Sequence, residues 1–269
     1  MKSILLHIHE DEGQEARMQA GLDLARAFEG HLSCLHVTAF TEYMTADPIF
    51  SAALPIAVTQ ALEARQQAIR DTTEARLKSE DVPWDYLHLD DDIATAIVRH
   101  SVFADIVVLS RALAAFERND PLPIVAEVAL SARSPVLAVP PELRRLDLDA
   151  PVVIAWNGSP EVSAAIRLSL PILKRAKSVH LVTVDKHAQD YPLDTAARYL
   201  SRHGIKAEID ARERGSSKVE QVLLAAVRDL KAGLLVMGAY GHSRVRERIL
   251  GGVTRNLLGE SPVPLLLAH

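Results

Sequence analysis

The chain has 269 residues, 48% hydrophobic and 24% charged, with 30 Lys and Arg against 35 Asp and Glu for a formal net charge of −5. That balance excludes a disordered polyelectrolyte and a nucleic-acid binder held by a broad basic surface. The one cysteine, Cys34, excludes an intramolecular disulfide and a zinc site built on a Cys pair, and it fits a reducing, cytoplasmic setting. The apolar opening from Ile4 to Ile8 is too short to span a membrane and runs into Glu10, Asp11 and Glu12 without a small-residue cleavage site. Neither an export signal nor a membrane partner is expected.

In chain order, Ile4 to Ile8, Leu32 to Val37, Ile106 to Leu109 and Val136 to Val139 are short apolar runs that predict strands buried on both faces. Val152 to Trp156, Val179 to Val184, Leu234 to Met237 and Pro264 to Ala268 repeat the pattern in the second half. Between the first two runs, Ala16, Ala20, Leu24 and Ala27 form a helical stripe, and Gly30 is expected to close that helix in the left-handed conformation. Val219, Leu223, Ala226 and Leu230 form a second stripe, opened by a capping box of Ser217 and Glu220 and stopped by Gly233. Asp90, Asp91 and Asp92 precede a helix at Ile93 and are expected to cap it.

The chain is written twice. Ala104 to Arg111 resembles Ala232 to Ala239 at an offset of 128, and Ser134-Pro-Val136 returns as Ser261-Pro-Val263 at 127. The first half carries about twenty extra residues around Thr41 to Gln60; the apolar stretch from Tyr43 could pack over a site or a partner. The Pro- and charge-rich segment Pro140 to Pro151 reads as a linker, which predicts domains 1–145 and 146–269. Alternating strands and helices predict an α/β fold: two tandem open sheets of mainly parallel strands with helices on both faces. Such sheets bind ligands beyond the carboxyl ends of their strands.

One strand end stands out. The run Leu234 to Met237 leads into Gly238-Ala-Tyr240-Gly241-His242, then Arg244, Arg246 and Arg248, then Gly251-Gly252-Val253-Thr254-Arg255. Gly238 and Gly241 permit sharp turns and close approach, while Gly251 and Gly252 lie where a following helix would present free amides to an anion. Neither the Walker spacing nor G-x-G-x-x-G is present. The loop resembles that of the universal stress protein family in its tandem form, whose ATP pattern G-x2-G-x9-G is matched by Gly238, Gly241 and Gly251. Gly252 departs from the Ser or Thr usual there. Ala155-Trp-Asn157-Gly-Ser159 looks like the family's V-D-G-S segment, with Asn157 in place of the acid.

The resemblance implies an adenine nucleotide alpha hydrolase-like fold. It also implies one ATP, ADP or AMP site, with Mg²⁺ as an optional companion, lined by Ala155, Asn157, Val184, Met237, Gly238, Tyr240, Gly241, Gly251, Gly252, Val253 and Thr254. In the family final strands meet across a dimer axis, which implies that Val136 to Val139 and Pro264 to Ala268 join the halves as an intrachain pseudo-dimer, open to further homodimerisation.

The first half reads differently. No glycine stands between Val108 and Pro135, and Pro121 and Pro123 remove amide donors, so no nucleotide is expected there. Arg111 and Arg118 are expected as solvated charges. His7, His9 and His36 could meet a metal but are more simply read as core or crevice histidines. Cys34 is expected to be inert, and Trp156 to pack at a strand end. The preferred function is a nucleotide-binding stress or signalling module that acts through an unidentified protein partner. The rivals are an ATP-using enzyme, by slow hydrolysis or adenylyl transfer, and a ligand-free interaction scaffold.

Overall fold

A computed structural model describes residues 1–38, 56–111, 124–185, 191–239 and 252–269, the side chains of 56–59 aside. The first half of the chain supplies β1 (Ser3–Ile8), α1 (Gln14–Phe28), β2 (His31–Thr38), α2 (Ile56–Lys78), β3 (Trp84–Asp90), α3 (Ile93–His100), β4 (Ile106–Ser110), α4 (Ile124–Ser131) and β5 (Val136–Val139). The second supplies β6 (Val152–Ala155), α5 (Pro160–Leu173), β7 (Val179–Val184), α6 (Leu193–Arg202), β8 (Ala207–Arg212), α7 (Val219–Asp229), β9 (Leu234–Gly238), α8 (Gly252–Glu260) and β10 (Leu265–Ala268). Residues 41–55 of the expected insertion lie outside the described residues, and Ile56 to Gln60 open α2.

The strands form one ten-stranded sheet in the order β3-β2-β1-β4-β5-β10-β9-β6-β7-β8. Within each half every pair is parallel, and β10 joins β5 antiparallel, with Leu265 opposite Ala138 and Leu267 opposite Val136. The final strands therefore meet inside one chain, as the resemblance implies. One face is covered by α1, α2, α5 and α6 around Leu6, Leu24, Leu77, Ile154 and Leu200. The other is covered by α3, α4, α7 and α8 around Ile97, Val125, Leu223, Met237 and Leu257. Each apolar layer runs through both halves.

Local chemistry sets the element ends, and three expectations need correcting. Asp92 Oδ1 accepts from the Thr95 amide at 2.8 Å and so caps α3. The residue in left-handed conformation after α1 is Glu29 (φ 48°), not Gly30. A Cβ on Gly30 would stand 3.0 Å from the Lys2 carbonyl oxygen, so glycine is there for close packing on β1. Lys231 (φ 50°) likewise turns the chain after α7, and Gly233 fits against Ala150. The cap of α7 falls at Lys218, whose amide donates to Gln221 Oε1 at 3.0 Å, one residue after the Ser217 expected from sequence.

The histidines divide between the two sheet faces. Parallel register sets His7 beside Leu35 and His36 beside Ile8, so His7 and His36 project to opposite sides. His7 and His9 stack at 5.7 Å, as their spacing of two predicts. On the far face His36 Nδ1 shares a 2.8 Å hydrogen bond with Tyr86 Oη, and His88 Nε2 one of 2.8 Å with Thr38 Oγ1. Among the described residues no three His, Cys, Asp or Glu side chains are grouped to hold a metal. Cys34 is buried, and burial pushes its thiol up to about 12, so the reactive thiolate is suppressed.

His7 is fully buried, and neither ring nitrogen meets a hydrogen-bond partner among the described residues. Burial, then the neighbouring Arg17 charge, holds it well below its ordinary value, and burial holds His36 down to about 4. The sign follows from linkage. Both groups bind protons more weakly folded than unfolded, so below about pH 6.5 the unfolded chain takes up protons that the native state refuses. Each such proton removes about 1.4 kcal/mol of stability per pH unit. Denaturant melts between pH 7 and pH 5 are therefore expected to show a fall in stability that is shallower in His7→Leu than in the wild type.

Candidate functional site

The strand ends of the second half build the site. Ala155, in register with Val182, faces the α7–α8 side of the sheet together with Val184 and Met237, and all three pack against the same apolar layer. Val253, in the first turn of α8, joins that layer, and Thr254 beside it is buried. The result is an apolar wall on one sheet face with the start of a helix next to it. The first amides of α8 have no carbonyl within their own helix to bond, and the helix dipole adds partial positive charge, so they suit an anion. Exposed Arg255 adds a cation in the same turn.

After β6 the chain turns at Gly158 (φ 73°), where a side chain would be strained. Asn157 is exposed, and its Oδ1 accepts from the Ser159 amide at 3.2 Å, which fixes the carboxamide beside the crevice. Ser159 Oγ accepts from the Val162 amide at 3.3 Å and caps α5, with Pro160 at the first helical position. The Tyr191 amide donates to the Gly158 carbonyl at 3.0 Å and holds the neighbouring segment to this turn. Trp156, between Ala155 and Asn157, is buried in the layer on the other face and so packs away from the crevice wall.

Two glycines of the motif differ in what they do. A Cβ on Gly238 would lie 2.6 Å from the Val162 nitrogen and 2.8 Å from the Glu161 carbonyl carbon. Gly238 is therefore required for the end of β9 to touch the start of α5. A Cβ on Gly252 would meet nothing within 4 Å, so neither crowding nor a positive φ explains that glycine. Tyr240, Gly241 and Gly251 lie outside the described residues, as do His242, Arg244, Arg246 and Arg248.

Two residues that sequence reasoning placed elsewhere tie elements together, Glu220 at this end and Arg111 at the opposite end of the sheet. Glu220, expected to cap α7, is buried, and its Oε1 accepts from Asn256 Nδ2 at 2.6 Å, tying α7 to α8. Arg111, expected as a solvated charge, donates from Nη1 to the Ser261 carbonyl across the junction of the halves. Arg118 lies outside the described residues.

At the matching end of the first half, the parallel registers align His7 with Ala155, His9 with Asn157 and Ser110 with Gly238. A guanidinium braces this end. Arg17, fully buried, donates to the His7 carbonyl at 3.1 Å, the His9 carbonyl at 2.8 Å, Gln14 Oε1 at 2.7 Å and Asp11 Oδ2 at 2.8 Å, and it also reaches Ser110 Oγ. Burial lowers its proton affinity and Asp11 opposes the loss, so the pair shares the cost of desolvation. The available signal was an arginine inside the apolar stripe between Ala16 and Ala20. Gly13 is glycine because a Cβ there would overlap Ser110 Oγ.

This arrangement defines a doubly wound α/β protein with strand-end crevices. Residues 150–269 match the model of the Universal stress protein family. The Universal stress protein Slr1230 of Synechocystis sp. is 29% identical over 141 residues, which cover 51% of this chain and 47% of that protein. The chain thus spans about half the length of the curated relative it matches. Among solved structures, a universal stress protein from Archaeoglobus fulgidus DSM 4304 superposes with a TM-score of 0.73 at 15% identity, covering 98% of this chain and 95% of its own. A functionally unknown protein from Pseudomonas aeruginosa PAO1 gives 0.60 at 14% identity, with 100% and 92% covered. These structures share the fold across the whole chain, and the family match lies in the second half.

The glycine geometry makes a paired prediction. Gly238→Ala should destabilise the fold by about 1–3 kcal/mol, because backbone must move to admit the methyl group. Gly252→Ser should cost less than about 0.5 kcal/mol, as expected for an exposed position without contacts. Thermal melts of both variants beside the wild type would check this; equal losses would contradict the assignment of crowding to Gly238 alone.

Proposed function

We propose that the second half binds one adenine nucleotide at the carboxyl ends of β6, β7 and β9, and that the chain divides near residue 146 into a domain without a nucleotide and a domain with one. The observation that carries this reading is the sharing of one sheet face by Ala155, Val184 and Met237 with the start of α8. A flat base meets an apolar wall there and an anionic tail meets free amides. Asn157 offers its carboxamide to a ribose hydroxyl, and Gly252, Val253 and Thr254 offer amides and a hydroxyl to phosphate. Tyr240, Gly241 and Gly251 complete the cradle through their place in the motif. ATP, ADP or AMP fits this donor set; a triphosphate, with Mg²⁺ to offset its charge, supplies the anion that these groups lack.

In the first half a base would meet His7 and His9 in place of Ala155 and Asn157, and Ser110 in place of Gly238. The family supports a role in stress response or signalling, in the cytoplasm, where nucleotide occupancy biases a surface read by a protein partner or a second copy of the chain. The described part of the site holds groups for binding rather than an acid, base and nucleophile in mutual contact, so binding is the activity assigned.

Calorimetric titration with ATP, ADP and AMP tests it. One site per chain is expected, with binding lost in Gly241→Val and in Gly251→Val while circular dichroism stays unchanged. Two equal sites, or full binding by both variants, would overturn the reading, and rapid turnover with a second substrate would replace it by an enzyme.

A further inference from the structure

A second cavity lies behind the candidate nucleotide crevice, on the opposite face of the sheet. It occupies about 150 Å³ between α5 and α6, floored by Trp156 and walled by Ile166, Ala196 and Tyr199, with Tyr191 and Arg167 at its mouth. Protein interiors are close-packed, and a void of this size is about what one benzene ring fills. Ser163 and Thr195 add hydroxyls to a lining that is otherwise mainly apolar, and a ring placed there gains edge and face contacts from three aromatic side chains.

The polar component is specific. Arg167 is exposed, and no ion pair to another described residue engages its guanidinium, unlike Arg175, Arg198 and Arg212 in the same half, which all pair with aspartates. A planar guanidinium at the rim of an aromatic slot matches a planar carboxylate two-pronged. Ala155, Val184 and Met237 lie on the other sheet face, so this cavity shares no wall residue with the proposed nucleotide site.

We propose that this cavity binds a monocyclic aromatic carboxylate, with the ring against Trp156 and the carboxylate on Arg167. The proposal is independent of nucleotide binding. Benzoate is the probe, with benzyl alcohol as its uncharged counterpart. Both are titrated into Trp84→Phe protein, in which Trp156 is the remaining tryptophan and its indole resonance reports contact.

Benzoate is expected to shift that resonance saturably below about 10 mM, the range open to so small a ligand. Arg167→Gln should weaken benzoate by about fivefold or more, as loss of one charge-assisted pair implies, and leave benzyl alcohol unchanged. Ala196→Leu, which fills the void, should abolish the response to both, with circular dichroism confirming that the variant folds. A Trp156 resonance unmoved by benzoate would overturn the proposal. Equal benzoate affinity in Arg167→Gln and wild type would also overturn it, because the carboxylate would then have no partner at the mouth.

Discussion

The structure depends on one pairing, the antiparallel union of β5 with β10. Val136, Leu137, Ala138, Leu265, Leu266 and Leu267 are all fully buried, and each Val or Leu side chain contributes roughly 1.5–3 kcal/mol on leaving water. The pairing hides two edges that would otherwise remain open and leaves β3 and β8 as the outer strands. Both carry charges: Asp85 and Asp90 on one, Glu208, Asp210 and Arg212 on the other. Because β5 and β10 run in opposite directions and each half is parallel within itself, the strand carboxyl ends of the two halves lie at opposite ends of the sheet. The two crevices cannot share a ligand, so each half has been free to diverge.

That divergence is visible in how each crevice end is held. In the second half, glycine lets β9 touch the first turn of α5 directly, and the wall beyond stays small and apolar. In the first half, the same junction is spanned by Arg17 and Ser110, and imidazoles replace the small wall residues. A buried guanidinium satisfied by two carbonyls, a carboxylate and a carboxamide ties the end of β1 and the turn after it to α1. One end presents a small apolar wall beside a helix start, and the other a buried guanidinium brace.

Much of this was legible in the sequence, for physical reasons. Central strands buried on both faces are continuous apolar runs, so β1, β2, β4 to β7, β9 and β10 declare themselves. The edge strands β3 and β8 do not, since Asp85 and Asp90 in one and Glu208, Asp210 and Arg212 in the other break the apolar run. Glycine after a helix suggested a left-handed turn at Gly30 and a stop at Gly233, yet Glu29 and Lys231 make the left-handed turns and the glycines serve packing. The grouping of His7, His9 and His36 required the register between strands, which single-strand spacing does not contain. At the site, Ala155, Val184 and Met237 could be placed by their strand positions, whereas the roles of Arg17, Glu220 and Arg111 depend on contacts between distant elements.

Hydrogen exchange of the intact chain with and without ATP tests the central claim, that only the second half's strand ends close around a nucleotide. The account predicts slowed exchange at the amides of Gly252, Val253 and Thr254 and around Asn157 to Ser159, with His7 to Asp11 and Ser110 to Arg111 unchanged. Slowing confined to those first-half amides would contradict it.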